Sequence, residues 1–335
     1  MQSFTQYTPT QIVFGRGAQK EAGKLTKKWG GSRVLLVYGG GSAVRSGLLQ
    51  EIKEELDREG IACEELGGVQ PNPRLALARE GVEKAIAFQA DLILAVGGGS
   101  VIDTAKAVAA GAYVPGTDIW DIWMGKAPLT GALPVGAVLT ISAAGSETSD
   151  SAVLTNKETG KKAGINSDLI RPRFALMNPE LTYSLPKYQL CCGITDILMH
   201  TLERYFTPVA GNELTDEIAE GLMRTVIRNG RKAFADQTDY EAMSELMWCG
   251  SLSHNGLTGL GRPKDFACHK LGHEIGGHFD EAHGATLSAV WGSWARYVYK
   301  ENPERFAQFA TNVFHIPCGL DFEKTALQGI QAMED

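Results

Sequence analysis

Asp91-Leu-Ile-Leu-Ala-Val96-Gly97-Gly98-Gly99-Ser100-Val-Ile-Asp103-Thr-Ala-Lys106 reads as a strand, a glycine turn and the opening of a helix. A short continuous apolar run bounded by turn residues is the pattern of a strand covered on both faces of a parallel sheet. Glycines let backbone N–H groups come close to an anion, and the following helix adds partial positive charge at its N-terminus. The stretch therefore predicts an α/β sheet whose edge can hold a phosphate.

Reading outward, Gly-Gly-Gly-Ser recurs as Gly39, Gly40, Gly41 and Ser42, again directly after an apolar run, Arg33 to Tyr38. Helical patterns near 46–59 and 75–88 lie between the two runs, and Val135–Thr140 and Phe174–Met177 are further strand candidates. The polar stretch 148–163 between these last two resembles a hairpin. A third turn, from Leu139 to Glu147, supplies hydroxyls and a glycine at what would be the same sheet edge, and Lys162 adds a charge suited to a pyrophosphate. Ile102 and Val44 stand where a Gly-x-Gly-x-x-Gly fingerprint needs its third glycine, and neither turn is a Walker A loop. From Lys187 onward the pattern is helical, with long helices near 213–234 and 240–257 and almost no strand candidates. The predicted fold is thus an N-terminal α/β domain, 1–185, with a Rossmann-like parallel sheet, followed by an all-α domain, 186–335.

The second half carries a different signal. Six of the 7 histidines lie between His200 and His283. Asp196 and His200 are four apart in a segment, 193–206, with apolar residues at helical spacing, which puts both on one helix face, either as a surface pair or within reach of one divalent ion. A carboxylate with imidazoles suits zinc or ferrous iron better than calcium or magnesium. His269 and His273 repeat the four-residue spacing, and Gly276 with Gly277 predicts a helix end before His283. His273-Glu274 is followed by His278 at five positions instead of four, which departs from the zincin signature and disfavours a metalloprotease.

Composition narrows the partners. The net charge of −7, with basic residues scattered singly or in pairs, shows no footprint for nucleic acid or an anionic membrane. The N-terminus has no basic region followed by an apolar one, and no long apolar run occurs, so the chain is expected in the cytoplasm. Its 6 cysteines lack Cys-x-x-Cys spacing, in keeping with a reducing compartment.

Taken together, Ile12-Val-Phe-Gly15, Pro71-Asn-Pro73, Gly97 to Lys106, Gly145-Ser-Glu147, Leu185-Pro186 and the histidine segment resemble the iron-containing (group III) alcohol dehydrogenases, in their butanol dehydrogenase-like branch of aldehyde reductases. The resemblance implies a dinucleotide-binding α/β domain and a helical metal-binding domain. It implies Asp196, His200, His269 and His283 as ligands of Fe2+ or Zn2+, with His273 near the nicotinamide. Gly97, Gly98, Gly99, Ser100 and Asp103 match the pyrophosphate loop; Thr140, Ser142 and Lys162 lie where the family contacts the dinucleotide, and Asn72 is grouped with them. NAD-preferring relatives place an aspartate after the strand that ends at Tyr38, where it accepts from the adenosine ribose. Gly39, Gly40, Gly41 and Ser42 resemble the NADP-using branch instead, so NADPH is expected, with NAD possible.

The implied reaction is hydride transfer between NADPH and a small aldehyde or its alcohol, in a homodimer paired through the strand near Thr10–Phe14. Family members usually continue for roughly two more helices, so the helical domain is expected to lack its C-terminal end. Rival readings on the same architecture are a glycerol dehydrogenase-like enzyme and a dehydroquinate synthase-like lyase; the latter would want several basic residues near the metal, and only Lys264 and Lys270 flank the histidines. Trp120, Trp123 and Phe266 are candidates for an apolar pocket wall.

Overall fold

The computed structural model describes residues 1–335 and contains two compact units, one of Thr8–Leu185 and one made up of Met1–Tyr7 together with Pro186–Asp335. In the first unit the order is β1 (Gln11–Phe14), α1 (Ala22–Lys28), β2 (Arg33–Gly39), α2 (Ser42–Arg45), α3 (Leu48–Arg58), β3 (Ala62–Val69), α4 (Leu75–Phe88), β4 (Leu92–Gly97), α5 (Gly99–Tyr113), α6 (Ile119–Trp123), β5 (Val135–Leu139), β6 (Ser151–Asn156), β7 (Lys161–Asn166) and β8 (Phe174–Met177). The second unit is helical throughout: α7 (Lys187–Tyr205), α8 (Glu213–Ala235), α9 (Tyr240–His254), α10 (Ala267–Phe279), α11 (His283–Val298), α12 (Pro303–Phe314) and α13 (Phe322–Glu334).

Six strands form one parallel sheet in the order β1-β8-β5-β4-β2-β3, and β6 with β7 makes a separate antiparallel hairpin. The central strands are buried from end to end: every residue of β4, β5 and β8 is in the core. That burial is why their sequences are continuous apolar runs rather than alternating ones. Helices cover the sheet through Ile52, Leu56, Ala78 and Val108, all fully buried. Trp123 lies in this unit's hydrophobic core beside Ile119, Ile122 and Leu154, so it packs the fold. β3 has the sequence Ala-Cys-Glu-Glu-Leu-Gly-Gly-Val and was not among the expected strands. It is an edge strand with alternating burial, and edge positions tolerate acids and glycine that a central strand would not.

The helix carrying His269 and His273 ends before His283 as expected, but two residues beyond the glycines that signalled its end. It runs through Gly276 and Gly277, both buried, and stops at Asp280 in the left-handed conformation, with φ 62°. An interior glycine costs a helix only about 1 kcal/mol, which close packing offsets. No helix is long and apolar enough to cross a membrane.

Candidate metal centre and dinucleotide edge

Asp196 and His200 stand one turn apart on α7, which buries its residues from Asp196 to Tyr205. His200 Nδ1 lies 3.1 Å from Asp196 Oδ1. The same carboxylate oxygen is 3.8 Å from His269 Nε2 on α10 and 3.7 Å from His283 Nε2 at the start of α11. Ligand atoms of Asp196, His200 and His269 all fall within 4.8 Å of one another. Asp196 Oδ1 and His269 Nε2 are buried and make no hydrogen bond. Buried polar atoms are costly to leave unsatisfied, so atoms held this way ask for a ligand. The donor set, one carboxylate and facing imidazoles, fits Fe2+ or Zn2+ on its chemistry.

Electrostatics within the cluster keeps the donors apart in charge. Burial alone would raise the Asp196 pKa, but the facing His200, His283 and His269 hold it well below the usual 3.8. Burial lowers the His200 pKa against the pull of Asp196, which favours the neutral imidazole. At His269 burial also works against the charge, yet the facing carboxylates of Asp196 and Glu203 prevail and raise its pKa.

The remaining histidines separate clearly. His273 is half-buried, with its ring centroid 5.3 Å from that of His283 and 6.4 Å from that of His269. His278 is exposed in the last turn of α10. His254, at the end of α9, sets its ring 4.1 Å from that of His200, and its Nδ1 meets Arg204 at 3.0 Å. Neither His254 nor Glu203 was singled out in the sequence: His254 lies on another helix, and Glu203, though one turn from His200, gains its role only through its contact with the start of α10. Phe266 sets its ring centroid 5.1 Å from that of His269, the planes tilted by 60°, and lies under the Arg204 guanidinium at 4.8 Å.

In the α/β unit, β2, β4 and β5 run parallel as neighbours, so the turns after them share one end of the sheet. These turns hold Gly39 to Ser42, Gly97 to Ser100, and Thr140 with Ser142. β3 flanks β2 on one side and β4 on the other, which makes the β2/β4 boundary a topological switch point. Gly98 is required here by packing, since a Cβ at that position would sit 2.2 Å from Ile141 Cγ2. Ser142 Oγ is buried without a hydrogen-bond partner. Lys162 Nζ donates to Asn72 Oδ1 at 3.0 Å, joining two residues far apart in sequence. Both Asp103 oxygens are engaged inside the fold: Oδ1 accepts from the Ser146 hydroxyl at 2.6 Å and Oδ2 from the Val153 N–H at 2.9 Å. Next to it the fully buried Lys106 donates to Ser146 Oγ at 3.0 Å and to the carbonyls of Ser149 at 3.0 Å and Ser151 at 2.7 Å. Burial brings the Lys106 ammonium down to about 8 despite the nearby Asp103.

A parallel-sheet unit with a glycine-turn edge, and a helical unit with a carboxylate–histidine cluster, define a metal-dependent, dinucleotide-using class of protein. The chain belongs to the iron-containing alcohol dehydrogenase family: the family's main model matches residues 9–179 and its C-terminal model residues 191–335. It is 40% identical over 332 residues to NADH-dependent butanol dehydrogenase A of Clostridium acetobutylicum, covering 99% of this chain and 85% of that protein. It is 36% identical over 326 residues to the NADPH-dependent aldehyde reductase YqhD of Escherichia coli, covering 97% of this chain and 83% of that protein. The crystal structure of NADH-dependent butanol dehydrogenase A from Thermotoga maritima superposes with a TM-score of 0.97 at 39% identity, covering 100% of this chain and 83% of that one.

Proposed function

We propose that this protein is an NAD(P)H-dependent alcohol dehydrogenase that reduces small aldehydes at a divalent metal held by Asp196, His200, His269 and His283. The observation that carries the reading is the pair of buried, hydrogen-bond-free donor atoms, Asp196 Oδ1 and His269 Nε2, with two more imidazoles around the same oxygen. When bound, a divalent ion there supplies Lewis acidity toward a carbonyl oxygen, and the nicotinamide supplies the hydride. The chain's own residues do the rest. Asp196 contributes the negative charge, and burial favours the neutral form of His200. His273, beside His283, is suited to position the nicotinamide or relay a proton. Phe266, against His200 and His269, gives the site an apolar flank that excludes water. Gly97 to Ser100 present backbone N–H groups at the start of α5 to a pyrophosphate, with Ser142 Oγ and the Lys162–Asn72 pair nearby in the same domain.

NADPH is the preferred form on this reading. β2 ends at Gly39, which offers no carboxylate to a ribose hydroxyl or against a 2′-phosphate. Arg45 folds back over the turn, its Nη1 2.9 Å from where a Cβ of Gly41 would stand, and brings a cation to the same place. The relatives' names include both NADH and NADPH dependence, so the residues of this chain carry the inference. The protein works as a homodimer in the reducing cytoplasm, with β1 as the pairing edge: it is terminal in the sheet, and Phe14 on it is 40% exposed. A monomer by light scattering would remove that part of the proposal. Oxidation of NADPH by butyraldehyde, abolished by a chelator and restored by Fe2+ or Zn2+, tests the whole reading; undiminished activity in fully demetallated protein overturns it.

A further inference from the structure

Glu203 sits one turn beyond His200 on α7 and is only 1% exposed. Its Oε1 accepts from the Cys268 N–H at 2.5 Å and the His269 N–H at 3.3 Å, which caps the first turn of α10. Phe266, at the N-cap position of that helix, has no side chain that can do so. Glu203 Oε2 meets His269 Nδ1 directly. A neutral imidazole carries one N–H, and an ionised carboxylate accepts only. A proton held on Nδ1 leaves Nε2 with its lone pair, and Nε2 is the atom that faces Asp196 Oδ1 without a hydrogen bond.

We propose that Glu203 is a positioning residue that fixes His269 in its Nδ1–H tautomer, thereby making Nε2 a metal donor while the same carboxylate anchors the helix that carries it. The inference rests on the metal reading above. Carboxylate–histidine–metal relays of this kind set ring orientation and ligand basicity, and their loss costs about 10–100-fold in metal affinity.

The decisive variant is Glu203→Gln. Its carbonyl oxygen can still accept from Cys268 and His269 N–H, so the helix cap survives. Its amide presents N–H to His269 Nδ1, which favours the Nε2–H tautomer and removes the donor lone pair. Zinc affinity would be measured by competition with a chromophoric chelator, alongside thermal unfolding of the metal-free protein and long-range 1H–15N spectra of the histidines. The expected result is a zinc affinity about 10–100-fold weaker, with Tm of the metal-free protein close to wild type and the His269 signals switched to the Nε2–H pattern. Wild-type zinc affinity in Glu203→Gln overturns the inference. If the metal-free variant is itself destabilised, the His269→Ala background decides. There Glu203→Gln should cost no further affinity if it acts through His269, and an additive loss refutes the relay. Wild-type protein that binds no zinc or iron defeats the metal reading instead, a separate outcome.

Discussion

Asp196 Oδ1 is the point on which the site converges: three imidazole nitrogens stand 3.1, 3.7 and 3.8 Å from it. At this scale the ligand set makes a sharp prediction. Asp196→Ala and His283→Ala should both lower the metal content of the purified protein, whereas His278→Ala, altering an exposed residue, should leave it at the wild-type level; elemental analysis of the three variants decides. A fall with His278→Ala would reassign the set. The i,i+4 pair Asp196/His200 was readable because helix geometry alone puts it on one face. Glu203 was not readable, since its value depends on the N-terminus of another helix, and nothing in its own neighbourhood announces a buried carboxylate. His254 escaped for the same reason.

Between elements, close approach sets where the ligands stand. Gly284 follows His283, and a Cβ there would sit 2.1 Å from the Cys192 carbonyl oxygen on α7, a backbone atom with no freedom to withdraw. Gly284→Ala should therefore push the start of α11 away from α7 and carry His283 with it. Metal affinity should fall by at least about tenfold, a loss of about 1.4 kcal/mol, while secondary structure by circular dichroism persists. A fully metallated Gly284→Ala protein would show that α11 has slack.

The same bundle is tied by Asp216 of α8, which accepts from both terminal nitrogens of Arg305 at 2.6 Å and pairs with Arg262 at 2.5 Å. Burial works to raise the Asp216 pKa, but the two guanidinium groups win and hold it below the usual 3.8. The folded state thus binds this proton less readily than the unfolded chain. The stabilisation is fully present above pH 3.8 and drains away as the pH falls through the depressed native value. Asp216→Asn, which leaves two buried guanidinium groups facing a neutral amide, should cost about 3–5 kcal/mol at neutral pH. It should also show less further loss on acidification than wild type, as read by denaturant unfolding across pH.

For the molecule as a whole, the proposed reading assigns cofactor choice to residues of the sheet unit. Arg45→Ala should lower kcat/KM for NADPH by about tenfold, the value of one charge-assisted contact, and leave that for NADH unchanged. Wild-type kcat/KM for NADH equal to or above that for NADPH would overturn the preference argued from Gly39 and Arg45.

The sequence by itself determined the parallel sheet, the helical second half and which histidines to consider. Buried strands must be apolar from end to end, helices must repeat every turn, and glycine is needed where backbone comes close; these constraints are local and leave marks residue by residue. Strand β3 left no such mark because an edge strand is only half-buried, and α10 runs two residues past Gly277 because packing outweighs the cost of two interior glycines. Only the tertiary structure decided that Asp103 is spent on Ser146 and Val153, and that Glu203 stands behind His269. Those relations run between elements distant in the chain, where long-range packing, rather than local propensity, fixes which atoms meet.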